Sequence, residues 1–388
     1  MTGTDRPSPG ALDELGRSVT DPVEANRPAG ATTSLEGALP AGDLPLPAFD
    51  IDAPRYSYVS VSLNETVTDG NAFGLFIAGA NGVDIRGGGF DNSLVDGVTL
   101  HRFVTNVVVE GARASGNGGD GFVLARATTG TILSEVQAVR NARNGVTISG
   151  LPLASGPTAT GTSIGDYGNN AVSNSRAEAN GRYGIEVVGG HDLNVSANEL
   201  VANDMGIVVR GGARGVSVVG NNVSDAGRQG IAVRDAVTES VVSGNIVSGG
   251  ETSVYVRASA VEVSRNTLAG ASMHGITLVG DVEGTDVQEN TISGRGPSAI
   301  DVARAESVDA RDFENVTSGW SDTTPWLVTL KRIFQPLNLL WTILGLIVVV
   351  TAIRGLRRRA GRAHPYADKL PVTTEADVVV PIPTAAGR

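Results

Sequence analysis

A small residue followed by an alternating apolar tetrad recurs ten times between Gly74 and Val302, at intervals of 23, 24, 24, 39, 22, 24, 23, 22 and 24 residues. The copies begin at Gly74, Gly97, Gly121, Gly145, Gly184, Gly206, Gly230, Ser253, Gly275 and Ala299, and typical ones read GVTI, GIVV and GITL. A fixed period in this range marks a solenoid, because one unit cannot bury its own apolar face and must stack on its neighbours. Each unit holds several short runs of β-branched residues broken by Gly, Asn, Ser and Asp, which favours strands and turns over helices. Leucine does not recur at set offsets, so a leucine-rich repeat is a poor match. In the copy that starts at Met205, strands are expected at Ile207–Arg210, at Val216–Val219 and around Val223.

A second period places Asn at 198, 221, 245, 266 and 290. Asn tolerates left-handed backbone and bonds its own turn, so a tight corner in each coil explains the spacing. Stacked amides can also form a ladder of hydrogen bonds. A structural role is therefore expected for all five.

Together these repeats resemble the right-handed parallel β-helix of the pectin-lyase-like superfamily. The expected architecture is all-β: a solenoid of about ten coils over residues 56–320, with Tyr56–Asn71 as an N-terminal cap strand. Residues 1–55 form a Pro/Gly-rich segment expected to be disordered. The interval of 39 places a long loop at Pro152–Asn170, where loops on rigid scaffolds often carry function. A juxtamembrane stretch (321–336) leads into Leu337–Ile353, 17 residues with no charge, expected to be a transmembrane helix. Trp320, Trp326 and Trp341 cluster there, as interfacial Trp do. Arg354, Arg357, Arg358, Arg359 and Arg362 follow, so the positive-inside rule places the tail (354–388) in the cytoplasm and the solenoid outside the cell membrane. No export signal is visible in this numbering.

Composition narrows the function. The net charge of −11 argues against nucleic acid as a partner. Without Cys, and with 4 His and 3 Met in the chain, neither a metal site nor a cofactor is implied. Both lysines, Lys331 and Lys369, lie outside the repeats, so cationic chemistry there belongs to Arg and His.

Counting by two from each small residue gives the outward positions. The second after it holds Thr99, Thr147, Glu186, Val208, Ala232, Tyr255 and Thr277, among others. The fourth holds Arg210, Arg234 and Arg257 on three consecutive coils. Guanidiniums stacked about 4.8 Å apart repel one another. A repeating anionic ligand relieves that repulsion, since the planar fork of Arg fits carboxylates; so do nearby Asp235 and Glu251. Tyr255 shares a strand with Arg257 and can stack on a sugar ring. The expected partner is an anionic, uronate-containing polysaccharide, with Arg210, Arg234, Arg257 and Tyr255 as the binding residues. Polysaccharide synthesis or export machinery is a further expected partner.

Within the superfamily, Gly181–Asp235 resembles the alginate (mannuronan) C-5 epimerase branch, whose strand reads close to YGFDPHD. Tyr183 and Gly184 match that motif, and Glu186 stands where it has Asp. The family's His falls on Val188; His191, three positions on, would substitute through a bulged turn. Arg210 lies one position from the family's carboxylate-neutralising Arg. The resemblance thus implies Glu186, His191 and Arg210 as catalytic candidates, for epimerisation or β-elimination. The other expectation is a non-catalytic scaffold for polysaccharide export or surface interaction, as in NosD-like β-helix proteins.

Overall fold

The computed structural model describes residues 32–35, 49–52, 60–68, 71–151, 167–306, 312–324 and 336–359. It divides into two units, 1–323 and 324–388.

The first unit is a parallel β-solenoid in which three strands make each coil. In one coil they are Met205–Arg210, Ser217–Val219 and Asn222–Ser224, as the spacing predicts to within two residues. All ten expected first strands stack, in chain order, into one parallel sheet, with Phe49–Asp52 ahead of them as an eleventh. The register follows the sequence period: Glu186 lies opposite Thr147 and Val208, and Tyr255 opposite Ala232 and Thr277. Second and third strands stack in the same way, for example Val195 on Val218 and Leu200 on Val223.

The N-terminal end carries more strand than expected. Ser60–Thr68 pairs with Asp84–Asp91, so the strand expected as a cap joins the solenoid wall. Thr32–Leu35 pairs with it in turn, and Phe49–Asp52 pairs with Leu75–Ala78. Both strands fall in the segment expected to be disordered. Most of the long loop, 152–166, lies outside the described residues, as do 325–335 and the tail from 360.

The interior is filled by inward columns such as Ile185, Ile207, Ile231, Val254 and Ile276, each no more than 1% exposed. Full burial of each such side chain contributes about 1.5–3 kcal/mol, and only stacking achieves it. The small residue is enforced by its neighbours. A Cβ on Gly206 would sit 2.4 Å from the Gly230 carbonyl oxygen and 2.4 Å from Val223 Cγ1.

Between second and third strands, the periodic Asn residues form a continuous buried ladder. Asn198 Nδ2 donates to Asn221 Oδ1 at 2.9 Å, Asn221 to Asn245 at 3.0 Å, Asn245 to Asn266 at 3.0 Å, and Asn266 to Asn290 at 2.9 Å. Each amide also donates to an inter-coil carbonyl, as Asn221 does to Val195 at 2.9 Å. The corner is left-handed, but the residue that adopts it precedes the Asn: Ala197, Gly220, Gly244, Arg265 and Glu289 have φ of 54°, 66°, 64°, 53° and 55°. The Asn is selected for its amide, not for its backbone. A second ladder, between third and first strands, joins Asn117, Asn141, Asn180 and Asn203 at 2.8, 2.9 and 3.0 Å.

Trp320 corrects the membrane-interface expectation. It lies in the strand Val316–Asp322, packs against the solenoid core and donates its indole N–H to the Gly296 carbonyl at 3.2 Å. Trp326 lies outside the described residues.

In the second unit, Pro336–Arg359 is a single α-helix. Every described side chain, Leu340 to Leu356, is exposed. Among the described residues no helix is long and apolar enough to cross a membrane. The uncharged stretch of Pro336–Arg359 runs from Pro336 to Ile353, about 27 Å of helix against a hydrocarbon core of about 30 Å. The expected transmembrane helix is not met on these residues.

Candidate functional site

The outward face of the first-strand sheet carries a continuous run of polar chemistry. Alternation places the side chains as expected, but several of the positions expected to face solvent are covered. Thr99, Glu186, Val208, Ala232 and Thr277 are all buried. Tyr183 and Met205, from the position before the small residue, pack with Val208, Ala232 and Tyr255 into a small apolar cluster on the outside of the coil. Neighbouring side chains on the same face provide this cover, which the period-two count does not register.

The Arg column exists. Val188 pairs with Arg210, Arg234 with Arg257 and Arg257 with Val279, on consecutive coils of one sheet. Its charges are partly answered. Arg210 Nε donates to Glu186 Oε1 at 2.7 Å. Asp235 accepts from Arg257 and lies 3.8 Å from Arg234 Nε. The φ of Asp235 is 66°, a left-handed conformation that Asp tolerates, and the turn sets its carboxylate between the two guanidiniums. Arg234 Nη2 donates to the Tyr183 hydroxyl at 3.4 Å, while its Nε is buried without a hydrogen-bond partner. Three guanidiniums face two carboxylates, so one positive charge remains in excess on a partly exposed strip.

Glu186 sits at the hinge between this strip and an acidic one. It is 4% exposed and accepts from Asn144 Nδ2 at 2.9 Å as well as from Arg210. Asn144 continues a column that sequence reasoning missed: Asp96, Asp120 and Asn144, each one residue before the repeat's Gly. The Asp120 N–H donates to Asp96 Oδ1 at 2.8 Å and the Asn144 N–H to Asp120 Oδ1 at 2.9 Å. Thr99 and Thr147 donate their hydroxyls to Asp96 and Asp120 at 3.2 and 2.7 Å. Burial pushes the Asp96 carboxyl up to about 6, and the Asp120 charge adds to the rise; the Asp120 N–H, the Thr99 hydroxyl and Arg143 oppose it. The signal was legible as Asp-Gly at 96–97 and 120–121, in phase with the strands.

His191 stands apart from that network. It lies in the turn after Tyr183–Gly189, bridged to Gly168 and Arg214, with Nδ1 at 2.9 Å from Asp192 Oδ2. The structure therefore brings Glu186 and Arg210 into contact, while His191 is engaged with Asp192. Tyr255 lies beside the Arg column, half-buried against Ala232 and its neighbours. Among the described residues, no group of three or more His, Asp and Glu could hold a metal ion.

Comparison with known proteins agrees with the architecture. A family model described as a right-handed beta helix region matches residues 145–292. No curated protein matches the sequence. Among solved structures, the tailspike of Escherichia coli bacteriophage HK620, determined with a hexasaccharide, is 14% identical with a TM-score of 0.51. The alignment covers 75% of this chain and 57% of the tailspike. The A-module of a mannuronan C-5 epimerase of Azotobacter vinelandii is 16% identical over 71% of this chain and 76% of the module, with a TM-score of 0.44. The catalytic unit of an α-1,3-glucanase of Streptomyces thermodiastaticus is 16% identical over 71% of this chain and 57% of its own, with a TM-score of 0.45. At 14% identity the likeness to the tailspike concerns the fold alone. With its three-stranded coils in register and the matched region at its centre, this chain is a right-handed parallel β-helix protein.

Proposed function

We propose that this β-helix binds an anionic, uronate-containing polysaccharide along the outward face of its first-strand sheet. The observation that carries the reading is the column Arg210–Arg234–Arg257, held in register on three consecutive coils with one positive charge in excess. Repeating guanidiniums about 4.8 Å apart suit a polymer with a carboxylate on each sugar. Tyr255 beside Arg257 supplies a ring face for a sugar. Titration calorimetry with oligomannuronate tests this: measurable binding that weakens with salt is expected, and no heat of binding at low salt refutes it.

A second reading adds chemistry to binding, and the 2.7 Å contact of Glu186 with Arg210 favours it. Arg210 would neutralise a uronate carboxylate and so acidify the C-5 proton, which Glu186 would accept; a proton returned from water to the opposite face gives the epimer, and departure of the C-4 glycosidic oxygen gives the unsaturated product of β-elimination. Its test is the anomeric proton spectrum of polymannuronate incubated with the protein. A changed C-5 configuration or an unsaturated product is expected. An unaltered spectrum leaves binding alone, the scaffold role, in which export or synthesis machinery is the partner.

Location at the cell membrane, with the solenoid outside and the C-terminus in the cytoplasm, is likewise a proposal. Its support is the helix whose described side chains are exposed and apolar on every face, followed by Arg354, Arg357, Arg358 and Arg359. Carbonate extraction followed by protease shaving of intact cells tests it. Retention in the membrane and cleavage of the solenoid from outside are expected; recovery in the soluble fraction overturns it.

A further inference from the structure

We propose that Ser298, His274 and Asp301 form a second, hydrolytic site: a serine nucleophile, its base, and the carboxylate that orients the base. The three lie on the outward face of the last two first strands, His274–Gly280 and Ser298–Ala305. The parallel register sets His274 opposite Ser298 and Thr277 opposite Asp301, which converges side chains that are 24 residues or more apart in two cases. His274 Nδ1 is 3.1 Å from Ser298 Oγ, and His274 Nε2 is 3.7 Å from Asp301 Oδ2. The His274 and Asp301 side chains are 13% and 15% exposed, screened from bulk water yet open to a ligand.

The tautomer decides what the imidazole can do. Nδ1 also lies 3.2 Å from the Ser298 carbonyl oxygen, so a proton on Nδ1 would bond there. A proton on Nε2 instead faces Asp301 and leaves Nδ1 as an acceptor for the Ser298 hydroxyl. The negative charge of Asp301 favours the second state, which is the one a general base requires. Arg304 Nη2, 3.8 Å from the same Asp301 oxygen, competes for that carboxylate. A contact of 3.7 Å is long for a hydrogen bond, and such contacts tighten when substrate binds.

Thr277 Oγ1, in the same outward column as Asp301 and Tyr255, is buried with no hydrogen-bond partner, a free polar atom beside the pair.

The reaction is ester hydrolysis. Ser298 Oγ bonds to the ester carbonyl carbon as its proton passes to His274 Nδ1. The alcohol leaves with that proton, and water then attacks the acyl carbon through the same base, releasing a carboxylic acid and restoring the hydroxyl. The substrate class, an O-acylated polyuronate, rests on the polysaccharide reading: the site shares the sheet of the Arg column, with His274 opposite Thr252, five residues along the strand from Arg257.

The test uses the full chain with a biotinylated fluorophosphonate at pH 7–9, followed by peptide mapping. An adduct on Ser298 is expected, absent in Ser298→Ala and slowed ~100-fold or more in His274→Gln. Asp301→Asn should slow labelling while leaving the β-sheet spectrum unchanged. Circular dichroism and uronate-column retention of each variant check that the fold and the Arg column are intact. No Ser298 adduct on the folded chain, or an unchanged rate in His274→Gln, overturns the proposal. The phosphonate needs no sugar, so this arm is independent of the polysaccharide reading. Release of acetate from acetylated polyuronate then tests the substrate: labelling without release overturns the assignment to polymer esters.

Discussion

Replacing Asn221 with Ala tests whether the amide ladder holds the coils in register. In the native chain Asn221 Oδ1 accepts from the Asn198 N–H at 3.0 Å and from Asn198 Nδ2 at 2.9 Å. Its own Nδ2 donates to Asn245 Oδ1 and to the Val195 carbonyl. The side chain is 1% exposed, so water cannot take over these roles. Asn221→Ala strands two buried donors on Asn198, and each costs about 1–3 kcal/mol. The expected loss is therefore about 2–6 kcal/mol, read as a lower urea midpoint by circular dichroism with little change in slope. Asn222, the next residue, is exposed and outside the ladder, so Asn222→Ala should change stability by no more than about 0.5 kcal/mol. Equal effects of the two substitutions would show that the ladder merely decorates the fold.

Three further outcomes follow from the same geometry. The carboxyl of Asp96, raised to about 6 against an ordinary 3.8, binds its proton more tightly folded than unfolded. Its contribution is therefore full below pH 3.8 and is lost as pH rises through 6, a fall of about 3 kcal/mol; Asp96→Asn should flatten the stability profile between pH 4 and 7, and an unchanged profile refutes the assignment. Glu186→Gln removes the charge partner of Arg210, so the salt needed to elute the variant from a uronate column should rise, at some cost in melting temperature; unchanged elution contradicts a role for Arg210 in binding. Gly206→Ala forces a Cβ to within 2.4 Å of the next coil's carbonyl, and should destabilise by about 1–3 kcal/mol or prevent folding, where an unchanged melt would deny the close approach.

What the sequence revealed, and what it hid, follows from where each constraint acts. The repeat was legible because the Gly position is set by backbone contact between coils, which acts identically at every turn. The Arg column was legible because parallel register carries a fixed offset from coil to coil. The second Asn ladder was missed although Asn117, Asn141 and Asn180 each stand four residues before the repeat's Gly, at the strand spacing. Its fourth member, Asn203, stands three before Gly206, which breaks the pattern. Covering of Val208 and Ala232 could not be read from alternation, because it depends on the reach of Tyr183 and Met205 across neighbouring coils. The contact of Glu186 with Asn144 joins residues 42 apart across the long-loop coil, beyond any local motif. Asp235 was legible as a neutralising carboxylate beside Arg234, but its place between two arginines depends on a left-handed turn that the dipeptide Arg-Asp does not announce.

The central claim is that the Arg column meets an anionic polymer. Retention of the full chain on immobilised alginate tests it most directly, comparing the wild type with the triple variant Arg210→Ala, Arg234→Ala, Arg257→Ala, each checked for its β-sheet spectrum. Retention of the wild type, eluted by salt, and passage of the folded triple variant without retention are the expected result. Retention of the triple variant at the same salt as the wild type would contradict the account.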